Sequence, residues 1–204
     1  MLLELIPTSC PICSSKNRAQ QICPANFQAK DLNPSIFSAR RIPDGLHHRL
    51  VLCQSCGLVR ADPVISPDLL TRLYRESNFN YSEETANLQK TYGRYLARLR
   101  RFRPPAGTLL EIGCGNGFFL ETALRTGYHP VWGVEPSQDA VAKANKNIQG
   151  SIICAPFQPG LFSEETFTTV CFFHVLDHLI QPEKIIREVF QILKPGGLDR
   201  KSVV

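Results

Sequence analysis

The stretch LLEIGCGNGFFLE, residues 109–121, constrains the fold of this chain more than any other. LLEI reads as a buried strand, glycines follow at 113, 115 and 117, and an apolar helix pattern begins at once. Glycines at such a turn let the backbone pass very close to another body. In dinucleotide folds the spacing is G-x-G-x-x-G, and a pyrophosphate sits on the helix N-terminus. Here Phe118 takes the place of the third dinucleotide glycine, and Glu111 stands two residues before the first. A carboxylate there repels a pyrophosphate and suits a cationic amino-acid moiety. Roughly 20 residues on, VWGVEPS closes the next strand with Glu135, placed to accept hydrogen bonds from both hydroxyls of a ribose.

From Thr108 onward strand and helix alternate. Strands are expected at 108–112, 131–134, 151–153 and 168–173, with helices at about 117–126 and 137–147 and a looser stretch at 156–166. A last helix is expected over 182–193, started by Pro182, carrying a stripe of Ile185, Ile186, Val189, Phe190 and Leu193, and stopped by Pro195-Gly196-Gly197. Glu183–Arg187 and Lys184–Glu188, four apart, support its wet face. The series predicts an α/β fold, a Rossmann-like parallel sheet of about four strands. Residues 66–105 read as a helical connector. Ser66 offers a capping hydroxyl ahead of Pro67, and Leu70, Leu73 and Tyr74 share a face. A second helix runs from about Glu83 with Leu88, Tyr92, Tyr95, Leu96, Leu99 and Phe102 at helical spacing, until Pro104-Pro105 ends it. Residues 1–65 form a separate cysteine-bearing module.

A hydrophobic share of 43% with 20% charged residues is that of a soluble globular protein. No apolar run approaches the roughly 20 residues that span a bilayer. The opening MLLELIP lacks the length and basic start of a signal peptide, so a cytoplasmic location without disulfides is expected. Eight cysteines then need another use. Cys10-x-x-Cys13 and Cys53-x-x-Cys56 are two knuckles separated by 39 residues, and four thiolates so paired suit a closed structural Zn2+ site. A redox role for one CxxC is the alternative, though such a motif opens a helix after a strand. Cys23, His47 and His48 lie near this module, Cys23 as a substitute ligand and the histidines as loop residues. Cys114 and Cys171 read as small buried side chains, and Cys154 matches no ligand spacing. The five arginines of RYLARLRRFR, 94–103, read as the wet face of a helix, since no aromatic-rich strand accompanies them.

LLEIGCGNGFFLETA, VWGVEPS and FTTVCFFHVLDHLIQPEKIIREVFQILKPGG, in that order, resemble a class I S-adenosylmethionine-dependent methyltransferase over about residues 106–198. The resemblance implies that Glu111, Gly113, Gly115 and Gly117 cradle the methionine part of the cofactor. It further implies that Glu135 holds the ribose and that Ala155-Pro156-Phe157 lies against adenine. LVLCQSCGLVRADPVISPDLLTRLYRESNF is similar to the zinc-binding segment that precedes methyltransferase domains in bacterial proteins, sugar C-methyltransferases among them, from Cys10 to about Tyr81.

Ligands of open α/β sheets bind beyond the carboxyl ends of the strands, where HVLDH begins. His174 and His178 are four apart, so on a helical turn they share a face, with Asp177 beside them. His174 is then expected to line the cofactor and methyl site, and Asp177 or His178 to touch the acceptor. The other reading is that all three only cap and pack the strand exit. The acceptor is expected to be a small molecule, a sugar or related metabolite; neither nucleic acid nor membrane is expected as a partner. An RNA methyltransferase and a non-catalytic cofactor- or zinc-binding module are the rivals, and a nicotinamide oxidoreductase fits worst. Residues 199–204 match no element such a domain requires, and they are what GATCGGAAGAGCGTCGTG encodes, the start of a common short-read sequencing adapter. They are expected to be an artefactual end on a truncated domain, leaving the fourth strand as an unpaired apolar edge.

Overall fold

The computed structural model describes residues 5–28, 31–34, 36–37, 45–77, 85–99, 101–102, 107–179 and 181–202. The N-terminal part is antiparallel. β1 (Leu5–Ile6) pairs with β5 (Val64–Ile65), while β2 (Ala19–Cys23), β3 (Leu50–Cys53) and β4 (Val59–Ala61) make a three-stranded sheet. Asp62 ties these pieces together. Its Oδ1 accepts from the Thr8 amide at 2.7 Å, and its Oδ2 lies 3.2 Å from Arg49 and 3.9 Å from the buried Arg60.

Two helices follow, α1 (Pro67–Arg75) and α2 (Thr85–Leu99). Proline at the first turn of α1 is as expected, but the Ser66 hydroxyl makes no capping bond. The face that α1 buries carries Leu69 and Leu73, with Leu70 half-covered at its margin. Tyr92, Leu96 and Leu99 form the buried seam of α2, and Phe102, beyond its end, is 79% exposed.

The remaining elements build one parallel sheet. β6 (Leu109–Ile112), β7 (Val131–Val134), β8 (Ile152–Ile153), β9 (Phe167–Phe173) and β10 (Leu193–Ser202) stand in the order β10-β9-β6-β7-β8. Between them run α3 (Phe118–Arg125), α4 (Gln138–Ala142), α5 (Lys146–Gln149) and α6 (Pro182–Ile192). The helix expected over 137–147 is two. Ser137 caps α4 by accepting from the Ala140 amide, and Asn145 caps again by accepting from Asn147, which restarts the helix as α5.

The pleat sends alternate side chains to two cores. Leu109, Cys171 and Phe173 join α2 and α3 on one face. Leu110, Ile112, Val170 and Phe172 join α6 on the other. Trp132 lies half-buried beside that second core, its ring edge-on to Phe162 at 6.5 Å.

Two expectations about the end of the sheet do not hold. β9 is not an edge, because β10 pairs with it in parallel, Leu198 to Thr169 through Ser202 to Phe173. Four of the six residues that matched no element, Asp199–Ser202, are thus strand, and the sheet has five strands. The reason is physical: the free N–H and C=O groups of β9 pair with any backbone laid beside them, whatever its side chains. On α6 the buried row is Ile185, Val189 and Ile192, whereas Ile186 and Phe190 of the expected stripe are 39% and 80% exposed. Glu188, assigned to the wet face, is buried, and its Oε1 accepts from the Gly160 amide at 2.8 Å.

Candidate functional site

The strand order reverses between β6 and β9, and the crevice beyond their carboxyl ends is where such sheets hold ligands. The glycine turn lies there. Gly113, Gly115 and Gly117 have φ of +73°, +55° and +75°, the left-handed region that glycine adopts without strain. The amide of Gly113 donates to the Val134 carbonyl at 2.8 Å, so β7 carries the start of the turn. A methyl group on Gly113 would collide with Val175, and one on Gly117 with Ile148. Both glycines therefore admit the chain's own side chains, a close approach that the sequence assigned to a ligand.

Two carboxylates back the turn. Glu135, at the end of β7, accepts from the Gly115 amide through Oε2 and from the Ser137 amide through Oε1, each at 2.9 Å. Burial raises its titration above the ordinary carboxylate value, the two amides opposing. Glu111, inside β6, is 2% exposed, and its Oε2 has no hydrogen-bond partner among the described residues. Burial first, then the nearby Glu135 charge, lifts Glu111 well above the ordinary value. The Asn116 Oδ1 in the turn is also buried without a partner. An amide can rotate to present its NH2 instead, but an ionised carboxylate only accepts. Once ionised, Glu111 therefore calls for a donor or cation, and a pyrophosphate supplies neither. These residues fit an S-adenosyl cofactor on that ground.

Ala155-Pro156-Phe157 follows β8 as expected, but the Phe157 ring packs against the core beneath the sheet. His174 and His178 do not share a helical face. The chain reaches His174 as the last step out of β9, with φ +54°, and only Leu176–His178 make a short 3-10 turn. A ring of the connector meets each histidine. Tyr92 stacks on His174 at 6.4 Å and 24°, and Tyr74 meets His178 edge-on at 6.1 Å. Asp177 lies in the 3-10 turn, and its side chain is outside the described residues. The two tyrosines were legible only as helix-face residues, because nothing local announces that α1 and α2 pack at the strand ends. The Ser137 hydroxyl, which donates to the Ser77 carbonyl at 2.9 Å, fixes the end of α1 beside Glu135.

The four knuckle cysteines converge. All four sulfurs lie within 4.8 Å of one another, with Cys10 and Cys56 at 3.4 Å and Cys13 and Cys53 at 3.5 Å. At a Zn–S length of about 2.3 Å, the edge of a tetrahedron is about 3.8 Å, so this spacing suits one metal ion. The knuckles are built alike. Ser14 and Gly57, each four past the first cysteine, have φ of +58° and +77° and donate to the Cys10 and Cys53 carbonyls at 2.8 Å. The Cys13 amide foremost draws Cys10 down to about 6. Against the Leu58 amide, the neighbouring Cys10 and burial push Cys56 up to about 12. Cys23 stands apart, 3.9 Å from His47 Nε2. His48, expected in solvent, is half-buried against the Phe27 ring, and burial lowers its titration.

A five-stranded parallel sheet whose ligand end carries a carboxylate-backed glycine turn defines a Rossmann-like α/β domain of the methyltransferase type. A family profile described as a methyltransferase domain matches residues 85–198, more than half of the chain, which belongs to that family. The ubiquinone biosynthesis O-methyltransferase of Rhizobium etli is 29% identical over 102 residues, 47% of this chain and 41% of that protein. The 24-methylenesterol C-methyltransferase 2 of Oryza sativa is 26% identical over 140 residues, 65% of this chain and 35% of that protein. A solved structure from Pyrococcus horikoshii superposes with a TM-score of 0.53 at 25% identity, over 60% of this chain and 56% of its own. The chain therefore spans well under half the length of these curated relatives. Among the described residues no helix is long and apolar enough to cross a membrane.

Proposed function

We propose that this chain binds S-adenosylmethionine at the glycine turn and transfers its methyl group to a small-molecule acceptor. The observation that carries the reading is Glu111, an orphaned carboxyl buried behind a turn of three glycines in the left-handed region. When bound, the cofactor supplies an activated methyl group on a sulfonium sulfur. Glu111, Gly113, Gly115 and Gly117 hold its amino-acid end, and Glu135, already fixed by two amides, holds the ribose. Ala155 and Pro156 border the adenine, and Phe157 supports them from the core.

The acceptor sits beyond β9, between the connector and the strand ends. Transfer in line from sulfur is chiefly a matter of position and of excluding water. Tyr92 over His174 and Tyr74 against His178 supply the walls. The imidazole of His178 is the group to accept a proton from the nucleophile, with Asp177 in the same turn. Relatives named for ubiquinone and sterol chemistry support a small organic acceptor over a macromolecule; a sugar or related metabolite remains within that class. The four cysteines hold a structural zinc that fixes the N-terminal module against the connector.

Calorimetry with S-adenosylhomocysteine tests the cofactor site. One site per chain is expected, and binding of a dinucleotide in its place overturns the reading. Loss of most turnover with retained S-adenosylhomocysteine affinity is expected of His178→Ala; undiminished turnover removes His178 from the proton-accepting role.

A further inference from the structure

A carboxyl buried without a partner is costly to ionise, and Glu111 is one in the unliganded protein. Resting on the cofactor reading, we infer that Glu111 selects the charge of the group placed against it by exchanging a proton: it holds one in the free protein and yields it to solvent when a ligand's cationic ammonium group enters.

The geometry supports this from every side. On β6 the neighbours are Leu109, Leu110 and Ile112, all buried. Across β7 the register partner is Gly133, which brings no side chain. Across β9 the partner is Cys171, whose thiol burial keeps neutral. From the turn comes Cys114, also held neutral by burial, and from the end of β7 Glu135, the second carboxyl. Cys154, after β8, is felt by Cys114, and Arg200 on β10 by Cys171; Arg200 itself lies over the Tyr95 ring at 4.7 Å. His174 is exposed at the end of β9 and engages Tyr92. Among the described residues no Lys, Arg or His is paired with Glu111. A desolvated charge beside a like charge, with no donor on Oε2, is costly. A cation in the turn reverses the balance.

The exchange is a simple one. The carboxyl O–H bond breaks, the proton passes to buffer, and the carboxylate gains the ligand's cationic group. By linkage, affinity for such a ligand rises as much as about tenfold per pH unit until Glu111 of the free protein titrates, and then levels off. An anionic ligand draws no proton off and is repelled once Glu111 ionises, so discrimination in favour of a cation grows as pH rises through that titration, which makes Glu111 a specificity residue and more than a contact.

S-adenosylhomocysteine is the probe, titrated into the full chain over a range of pH in two buffers of different ionisation heat. Proton release above that of the ligand's own amine is expected for the native chain and absent in Glu111→Gln. Equal proton counts in the two, with both binding, overturn the proposal. An infrared difference spectrum reads the native chain alone: the C=O stretch of a protonated carboxyl must vanish on loading, and its persistence overturns the proposal even where the variant does not fold. A native chain that binds no S-adenosylhomocysteine at any pH overturns the cofactor reading itself.

Discussion

Glu111 links the stability of the free chain to pH. Its folded-state titration lies well above the ordinary value of 4.5, chiefly through burial. Between those two values the folded chain holds a proton that the unfolded chain has lost. The stabilisation is complete below the ordinary value and is lost as pH rises through the folded one, at up to about 1.4 kcal/mol per unit. Glu135, raised by burial, adds in the same direction. Denaturant melts across the mildly acidic to neutral range should therefore show stability falling with pH, and Glu111→Gln should flatten the slope; an unchanged slope contradicts the assignment. At this scale the sequence was most informative. Glu111, Glu135 and the glycines stand where the strand–turn–helix pattern put them, because backbone chirality and charge burial are local constraints. Invisible were the collisions that require Gly113 and Gly117 to be bare, since Val175 and Ile148 are distant in the chain.

At the scale of elements, α6 gives the sharpest test. Ile185, Val189 and Ile192 form one row and Ile186 and Phe190 the next, and both rows repeat with helical spacing. Periodicity alone does not say which row meets the sheet; the crossing of α6 over β9 and β10 decides it. Ile185→Ala should cost about 2 to 4 kcal/mol, while Phe190→Ser should stay within about 0.5 kcal/mol of the native chain. Comparable losses in the two variants would mean that the helix is rotated. The histidines show the same limit. A spacing of four implies a shared face only on a helix, and β9 runs on to Phe173 before His174 turns the chain. β10 was missed for the opposite reason: strand pairing at a sheet margin is satisfied by backbone, so its polar sequence gave no signal.

Over the whole molecule, the cysteine cluster joins β3 to the N-terminal segment and so closes a module in which, among the described residues, the one apolar cluster is that of Ile65 with Leu69 and Leu73 of α1. Metal binding at such a site is folding free energy for the part that holds it. A strong chelator, or Cys53→Ser, should therefore release about one zinc per chain and melt the antiparallel strands β1–β5 ahead of the parallel sheet. Full retention of the native melt without metal would exclude a structural ion. The link to the site is through Tyr74 against His178 and the Ser77 carbonyl held by Ser137, so loss of the module should loosen the acceptor side before the glycine turn. Trp132 has a practical bearing on that experiment. As the chain's sole tryptophan, seated on β7 beside Phe162, it is an optical reporter for the methyltransferase half alone. Its emission should stay unchanged through the first event and shift only at the second, so the two halves can be followed in one cuvette without a label.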